Sequence, residues 1–284
     1  MKTRARRLLP TLGLVPFLGY LTVFLFIPTI IIVVGAFTDH GRASLTNIQG
    51  LANPTVWQAL KQSLILSAST AAIGAVFGSL LAYALVSGNP SGLARRAATS
   101  VCGVLAQFGG VMLAFAFIAT LSYSGSLTDL LRDHAGIDIF GSGWLFALPG
   151  LILVYSYFQI PLMVIVFLPA LDGIRVQWRE AAENLGATTW QFWRHVGGPL
   201  LFPAFLGSAL LLFANAFASY ATAAALVSQG NPITPLYIRA ALTSEIILGR
   251  QNLAYALALE MIVVVAIVMA AYALLVRRTS KWLS

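Results

Sequence analysis

The chain has very few charged residues. Only 9% of its 284 residues are Asp, Glu, Lys or Arg, whereas 59% are hydrophobic. Soluble domains carry about 25% charged residues, so this composition excludes an ordinary soluble protein and indicates an integral membrane protein. A helical crossing needs about 20 apolar residues, and the length therefore suits six crossings with short loops. We expect an all-α membrane protein whose residues 1–284 form a single transmembrane domain.

Motifs typical of enzymes are also missing. The sequence contains no Gly-x-x-x-x-Gly-Lys-[Ser/Thr] phosphate loop, so we do not expect it to hydrolyse ATP by that route. It contains no His-Glu-x-x-His and no Gly-x-Ser-x-Gly, and its three histidines (His40, His134 and His195) fall in predicted loops. The single cysteine, Cys102, cannot form an intrachain disulfide. We therefore expect no catalytic residue, no metal site and no cofactor bound by this chain.

Six apolar segments are long enough to cross a membrane. The apolar run of the first exceeds the roughly 7–15 residues of a signal-peptide core, so we interpret it as a span. Pro161 lies inside the fourth segment and is expected to kink it. Residues 122–143 are expected to form a loop, and residues 236–248 an amphipathic helix within a later polar loop. The predicted spans are residues 11–37, 63–87, 98–121, 144–168, 200–227 and 253–276.

The basic residues are concentrated on one side of this topology. Cytoplasmic loops of membrane proteins carry an excess of Lys and Arg, so that side is assigned to the cytoplasm together with both termini. The net charge of +8 is then a topology signal and does not indicate nucleic-acid binding. The residues assigned to the cytoplasm are Lys2, Arg4, Arg6, Arg7, Arg95, Arg96, Arg175, Arg179, Arg194, Arg277, Arg278 and Lys281. Those assigned to the opposite side are Arg42, Lys61, Arg132, Arg239 and Arg250, and acidic residues balance them.

A polar stretch between the fourth and fifth spans predicts two short helices. Glu180–Ala182 contains good helix formers, and Gly186 can adopt the left-handed conformation that ends a helix. Thr188 or Thr189 is a suitable N-cap for the second helix, which we expect to run from Trp190 to Val196 and to stop at Pro199. The stretch therefore predicts a helix-turn-helix on the cytoplasmic side.

The spacing in this stretch resembles the EAA loop of the permease subunits of binding-protein-dependent ABC importers. The family motif is Glu-Ala-Ala, three residues, Gly, nine residues, then Ile-x-Leu-Pro. Here Glu180–Ala182 and Gly186 fit, and Val196–Pro199 follows with Val in place of Ile and Gly198 in place of Leu. The alternative is an ordinary loop helix in which Glu-Ala-Ala occurs by chance.

The resemblance implies a role for the segment and a set of partners. In the family this loop docks into a groove on an ATPase subunit, which binds ATP and Mg²⁺, and Glu180 would pair with a basic residue there. The other implied partners are a second permease subunit, identical or a sister, an extracytoplasmic substrate-binding protein and the lipid bilayer. The implied location is the bacterial inner membrane, with a type I importer arrangement. The coupling loop spans residues 172–199, and its named residues are Glu180, Ala181, Ala182, Leu185, Gly186 and Pro199.

The compact six-span layout is most similar to the spermidine/putrescine permease group, whose relatives handle ferric iron, phosphonates or opines. Residues 53–64 look like the entry to the family's transport module, and Gly109-Gly110 lies in the third span. This similarity implies a polyamine-like solute. A permease for another of these solutes is the alternative within the family. A secondary transporter or channel is the alternative outside it.

Polar residues within the spans are candidates for the translocation path. Ser208, Asn215, Ser219 and Thr222 in the fifth span are spaced so that they would share one helical face. Small polar residues also pack membrane helices together, which is the alternative interpretation of this face. Glu260, deep in the sixth span, would either attract a cationic solute or act as a hydrogen-bonded strut. The candidate path residues are Asn215, Ser219, Thr222, Glu260, Gln159 and, more weakly, Gln107.

Overall fold

A computed structural model describes residues 14–39, 41–88, 92–141, 143–227, 233–243 and 251–280. Several sequence interpretations fall outside these residues. They concern His40, the basic N-terminal residues, residues 244–248 of the predicted amphipathic helix, Arg250 and Lys281.

Six helices within the described residues are long and apolar enough to cross a membrane. Each of the six predicted spans overlaps one of them, and the all-α membrane fold is confirmed. The six are Leu14–Ala36, Pro54–Ser87, Gly110–Ala135, Leu148–Asp172, Thr189–Ala218 and Asn252–Leu274.

The helices are labelled here in chain order. They are α1 (Leu14–Ala36, with a π-helical turn at Thr22–Phe26), α2 (Thr46–Gly50), α3 (Pro54–Ser87), α4 (Leu93–Gln107), α5 (Gly110–Leu121), α6 (Ser126–Ala135), α7 (Leu148–Asp172), α8 (Val176–Asn184), α9 (Thr189–Phe192), α10 (Gly198–Ala218), α11 (Ala221–Leu226), α12 (Thr234–Thr243) and α13 (Gln251–Ser280). A short 3₁₀ turn covers Trp144–Phe146, and a π-helical turn covers Trp193–Gly197. The strands β1 (Thr38–Asp39) and β2 (Arg42–Ala43) form a small antiparallel hairpin.

The second span begins nine residues earlier than predicted, at Pro54. Proline suits the first turn of a helix, because its missing N–H would have no intrahelical partner there. Asn53 completes this start, since its Oδ1 accepts hydrogen bonds from the backbone N–H and the hydroxyl of Thr55. The 34-residue helix is about 51 Å long at 1.5 Å per residue, so it extends beyond the hydrocarbon core.

The prediction of one continuous third span over 98–121 is wrong. The chain forms two helices, α4 and α5, separated at Phe108–Gly109. Gly110 has φ +73°, a left-handed conformation that L side chains rarely adopt, and this glycine lets the chain change direction there. The loop predicted at 122–143 also contains a helix, α6, which ends at Gly136 with φ +65°.

The chain divides into two compact units, which we describe separately. The first unit comprises residues up to Trp57 and residues Tyr237–Val263. Its core consists of Val56, Leu253 and Leu257, with Leu51, Tyr237 and Ile238 packed against them. Helix α1 passes close to α13, because a Cβ on Gly35 would lie 2.5 Å from the ring of Tyr255.

The second unit contains residues Gln58–Leu236 and Val264–Ser284. Two apolar clusters hold it together. One joins α5, α7 and α11 around Tyr155, and the other joins α3, α4, α7 and α10 around Met163 and Phe167. Glycines allow α3 to approach α7 closely, since a Cβ on Gly78 would lie 2.5 Å from Cβ of Met163. Helix α7 continues through Pro161 as one α-helix from Leu148 to Asp172.

Candidate functional site

The predicted coupling loop forms the helix-turn-helix expected from the sequence. Its first arm is α8, which carries Ala181 and Ala182, and its second arm begins with α9. Gly186 has φ +79°. The N–H of Ala187 donates to the carbonyl of Ala182, and the N–H of Gly186 donates to that of Glu183, both at 2.9 Å. These two bonds form the Schellman motif that ends many helices.

A capping box starts the second arm. Oγ1 of Thr188 accepts a hydrogen bond from the backbone N–H of Gln191 at 3.3 Å. In return, Oε1 of Gln191 accepts from the backbone N–H of Thr188 at 2.7 Å. The pair satisfies two N–H groups that the first helical turn leaves free, so Thr188 is the N-cap.

The expectation that the second arm stops at Pro199 is wrong. The chain passes through the π-helical turn Trp193–Gly197 and continues as α10 from Gly198 to Ala218. Pro199 lies in the first turn of α10, where its missing N–H is tolerated. Gly198 makes the preceding turn possible, because a Cβ there would lie 2.6 Å from the carbonyl oxygen of Trp193. The second arm is therefore continuous with the fifth span.

The turn of this loop exposes large apolar side chains. The side chain of Leu185 is 88% exposed and that of Trp190 is 72% exposed. Glu180 is exposed too, and the described residues supply no ion-pair partner for it, whereas Glu183 accepts a hydrogen bond from Nε of Arg179 at 3.0 Å. Exposed apolar side chains beside charged ones are typical of a surface that binds another protein.

Both ends of the loop are in contact with neighbouring helices that it does not join, α3 and α4. At the far end, Phe192 is buried, and the ring of Trp193 packs edge-on against Tyr83 of α3 with 5.3 Å between the ring centroids. At the near end, Nη2 of Arg95 lies 2.5 Å from Oδ2 of Asp172. The sequence pattern gave no sign of either contact, since both join residues far apart in the chain.

The prediction of one polar face along the fifth span is only partly correct. Helix α10 ends at Ala218, Ser219 has an extended conformation, and a new helix starts at Ala221. Ser208 and Asn215 lie on α10, whereas Thr222 lies on α11. The helical spacing that would align Thr222 with Asn215 is therefore interrupted. A helix break leaves backbone groups that require protein partners or water.

Two buried hydrogen bonds supply such partners. Thr222 is fully buried, and its Oγ1 accepts from the backbone N–H of Gly110 at 3.0 Å. The hydroxyl of Tyr155 donates to the carbonyl of Ser219 at 2.9 Å. The break between α10 and α11 is therefore joined to the break between α4 and α5. Tyr155 was not predicted as a functional residue, because its position in an apolar span offered no signal.

A pair of amide side chains lies one helical turn before this break. Gln159 is fully buried, and its Nε2 donates to the carbonyl of Leu212 at 2.7 Å. Asn215 is exposed, and its Nδ2 lies 3.5 Å from Oε1 of Gln159. Gln159 thus holds Asn215 at the surface of α10. The structure brings together Gln159 and Asn215 among the predicted path residues, and it places Thr222 inside the protein.

Glu260 belongs to the other compact unit. Its side chain is half-buried, and Oε2 has no hydrogen-bond partner among the described residues. That oxygen therefore lacks the contact that a hydrogen-bonded strut requires within the described part of the chain. No group of three or more His, Cys, Asp or Glu side chains suited to a metal ion lies within the described residues.

Comparisons with known proteins identify the family. The model of the family described as "Binding-protein-dependent transport system inner membrane component" matches residues 7–281. The chain is 27% identical over 173 residues to the molybdenum transport system permease protein ModB of Escherichia coli K12, covering 61% of this chain and 72% of ModB. It is 26% identical over 196 residues to the sulfate transport system permease protein CysW of E. coli K12, covering 69% of this chain and 64% of CysW.

A third relative and a solved structure are also similar to this chain. The thiamine transport system permease protein ThiP of E. coli K12 is 30% identical over 173 residues, which are 60% of this chain and 29% of ThiP. A crystal structure of a bacterial alginate ABC transporter, in complex with a periplasmic protein bound to an alginate pentasaccharide, contains a similar chain. It superposes with a TM-score of 0.81 at 20% identity, covering 99% of this chain and 98% of that one.

The family match also decides between the interpretations left open by the sequence. It favours a transport permease over an enzyme, a secondary transporter or a channel, and it confirms a multi-pass protein of the inner membrane. Permeases of ABC importers work with ATPase subunits and a periplasmic binding protein, which are the partners expected from the sequence. The chain belongs to the inner-membrane permease family of binding-protein-dependent ABC importers.

Proposed function

We propose that this chain forms half of the translocation path of an ABC importer for a small solute, and that residues 172–199 couple it to a separate ATPase subunit. The observation that carries the proposal is a rigid turn with exposed apolar side chains, held between two spans. Leu185 and Trp190 would fill a groove on the ATPase, and Glu180 would pair with a basic residue there. ATP and Mg²⁺ would bind to the ATPase and not to this chain.

The energetics are adequate for docking. Full burial of a large apolar side chain stabilises an interface by about 1.5–3 kcal/mol, so Leu185 and Trp190 together would contribute a few kcal/mol. The arms need little ordering on binding, because the Schellman motif and the capping box already fix them. A segment preordered in this way can pass movement of the ATPase to α7 and α10.

The same proposal includes the orientation in the membrane. Placing residues 172–199 in the cytoplasm follows the excess of Lys and Arg on that side, and it places both termini there as well. The extracytoplasmic side would then carry the β-hairpin, α6 and α12, which would face the substrate-binding protein. A second permease subunit, identical or a sister, would complete the path.

We place the solute path beside the break between α10 and α11. Asn215 and Ser219 would face the solute, with Gln159 holding Asn215 in place. Discontinuous helices near the membrane midplane often mark transport sites, because their free backbone groups can face a solute. Thr222 would support the break from inside the protein. Glu260 belongs to the first unit and is proposed as a path residue independently of this break.

The solute itself is proposed only as a small molecule delivered by the binding protein. The relatives described above are named for molybdenum, sulfate and thiamine, so they give no support to the polyamine-like solute that the layout suggested. These names include both anions and a cation. The fold of such a permease therefore does not identify the solute that it transports.

The test is affinity purification of the tagged permease in detergent, followed by mass spectrometry of the proteins that accompany it. We expect an ATPase with a phosphate loop, lost when Leu185→Glu is introduced. Ile137→Glu is the matched control, because Ile137 is also an exposed apolar residue and lies in the loop assigned to the opposite side. A well-folded wild-type protein that brings down no ATPase, or equal recovery with both variants, would overturn the proposal.

A further inference from the structure

An ion pair connects two helices at the start of the coupling loop. Arg95 lies in the first turn of α4, and Asp172 is the last residue of α7. Nη2 of Arg95 donates to Oδ2 of Asp172 at 2.5 Å. The side chain of Arg95 is only 17% exposed and that of Asp172 is 42% exposed, so the pair is partly shielded from water.

Both charges occupy the helix end that does not favour them. The N-terminus of a helix carries a partial positive charge and the C-terminus a partial negative charge. A cation in the first turn of α4 and a carboxylate in the last turn of α7 are therefore each unfavourable for their own helix. The stability of the two helices therefore does not explain why Arg95 and Asp172 occupy these positions. Their contact with each other does explain it.

Next to the ion pair, helices α4 and α7 pack together through apolar side chains. Cys102 of α4 belongs to the same buried cluster as Phe167 and Leu171 of α7. The ion pair lies beyond this cluster, at the end of the α4–α7 interface nearest to the coupling loop. Only residues 173–175 separate Asp172 from the first residue of α8. A displacement of α8 therefore reaches Asp172 before any other contact between α4 and α7.

We propose that Arg95 and Asp172 are positioning residues, and that their contact makes α4 move with the first arm of the coupling loop. The inference rests on the proposed coupling role of residues 172–199 and extends it to the helix that leads to the break at Phe108–Gly109. The pair clamps the near end of the loop, as Trp193 against Tyr83 clamps the far end. Movement of the loop is thereby passed to the third span as well as to the fourth and fifth.

The test measures the distance between α4 and α8 in the full-length chain. Spin labels are placed at Ser100→Cys and Gln177→Cys, two exposed positions, in a Cys102→Ala background, with excess unlabelled protein so that distances within one chain dominate. Pulsed electron paramagnetic resonance in lipid nanodiscs then gives the distribution of distances between the two labels. We expect one narrow peak for the parent protein and at least a twofold broader one for Arg95→Ala.

Charge exchange separates positioning from simple stability. The double variant Arg95→Asp with Asp172→Arg keeps the pair and places each charge at the helix end that favours it. We expect it to restore the narrow distribution, whereas each single exchange broadens it. Arg96→Ala is the control, because it removes a neighbouring arginine for which the described residues provide no ion-pair partner. Arg95→Lys should give an intermediate width.

The outcomes for this inference and for the proposed function are distinct. An Arg95→Ala distribution as narrow as that of the parent, or a double exchange that fails to narrow it in a protein of parental thermal stability, overturns the inference. Neither result depends on the ATPase. The amount of ATPase recovered with Arg95→Ala should stay within about twofold of the parent, because Leu185 and Trp190 remain exposed. A tenfold loss would show that the pair shapes the docking surface and would also overturn the inference.

Discussion

The backbone N–H of Gly110 donates to Oγ1 of Thr222 at 3.0 Å. These residues are 112 positions apart, and each lies next to a break between two helices: Gly110 begins α5, and Thr222 lies near the start of α11. One side chain therefore satisfies a backbone group that the first break exposes, and it does so from beside the second break. The two irregular segments therefore support each other.

Replacing Thr222 by valine should destabilise the protein. Valine has almost the same shape but cannot accept a hydrogen bond, so the N–H of Gly110 would be left unpaired. An unsatisfied buried donor costs about 1–3 kcal/mol. Thermal unfolding in detergent measures the effect. Thr120→Val is the control, since Thr120 is exposed and its hydroxyl bonds only within α5. Equal melting temperatures for both variants would contradict the prediction.

Substitutions of Gly186 should weaken ATPase recovery in a defined order. Nothing lies within 4 Å of a Cβ built there, so the only cost to alanine is the φ of +79°, about 1–2 kcal/mol. Asparagine tolerates this conformation better, whereas proline cannot adopt it and loses the N–H that donates to Glu183. We expect recovery to fall from Gly to Asn, then Ala, then Pro, with unchanged membrane insertion. Recovery of as much ATPase with Gly186→Pro as with the wild-type protein would contradict this prediction.

Loss of the N-cap should loosen the second arm of the coupling loop. Thr188→Ala removes the side-chain acceptor of the capping box, at a cost of about 1 kcal/mol. Amide hydrogen exchange at Gln191 and Phe192, whose N–H groups donate to Thr188, should then be about fivefold faster, because 1.4 kcal/mol corresponds to a factor of ten. Thr189→Ala, one position later, leaves the cap intact and serves as the control. Equal exchange rates in the two variants would mean that the cap does not hold this arm.

The loop around Asp138 should lose stability in acid. Backbone N–H donation from Gly141, then from Phe140, together with the nearby guanidinium of Arg132, holds the pKa of the Asp138 carboxyl below its usual value. A lowered folded-state pKa stabilises the protein above the unfolded-state pKa, about 3.9, and this stabilisation disappears as the pH falls through the folded-state value.

The measurement is amide exchange of residues 138–143, excluding Ser142, between pH 6 and pH 3, corrected for the intrinsic rate. Protection should fall below about pH 4 in the parent protein. Asp138→Asn keeps an acceptor but cannot titrate, so its protection should not change with pH. A variant profile that follows the parent would assign the acid effect to another group.

The sequence was sufficient for the features that depend on local chemistry. Runs of apolar residues predicted six spans, because a bilayer requires about 20 such residues at each crossing. Gly186 was predictable as the end of one helix and Thr188 or Thr189 as the start of the next, since a left-handed turn favours glycine and an N-cap favours a hydroxyl. The structure selects Thr188. The spacing from Glu180 to Pro199 was sufficient to suggest the family that the comparisons show.

Other features depended on residues distant in the chain. The break at Ser219 lies in an apolar run that is indistinguishable from a continuous helix, and it exists because Tyr155 and neighbouring helices provide partners for its backbone. The continuation of the helix through Pro199 likewise depends on a π-helical turn packed against Tyr83. Hydropathy and local residue preferences contain no information about such partners. They therefore predicted the third and fifth spans as continuous helices although both are broken, and they predicted that the second arm would end at Pro199 although it continues.

Composition and short-range spacing alone thus determined that this protein crosses the membrane in helices and carries a helix-turn-helix with a glycine turn between its fourth and fifth spans. Both follow from the transfer of side chains into lipid and from the backbone preferences of single residues. Only the tertiary structure decided where the spans break, which polar side chains are buried and that Arg95 meets Asp172. Those depend on hydrogen bonds and ion pairs between residues more than 50 positions apart, whose partners become neighbours only when the helices pack.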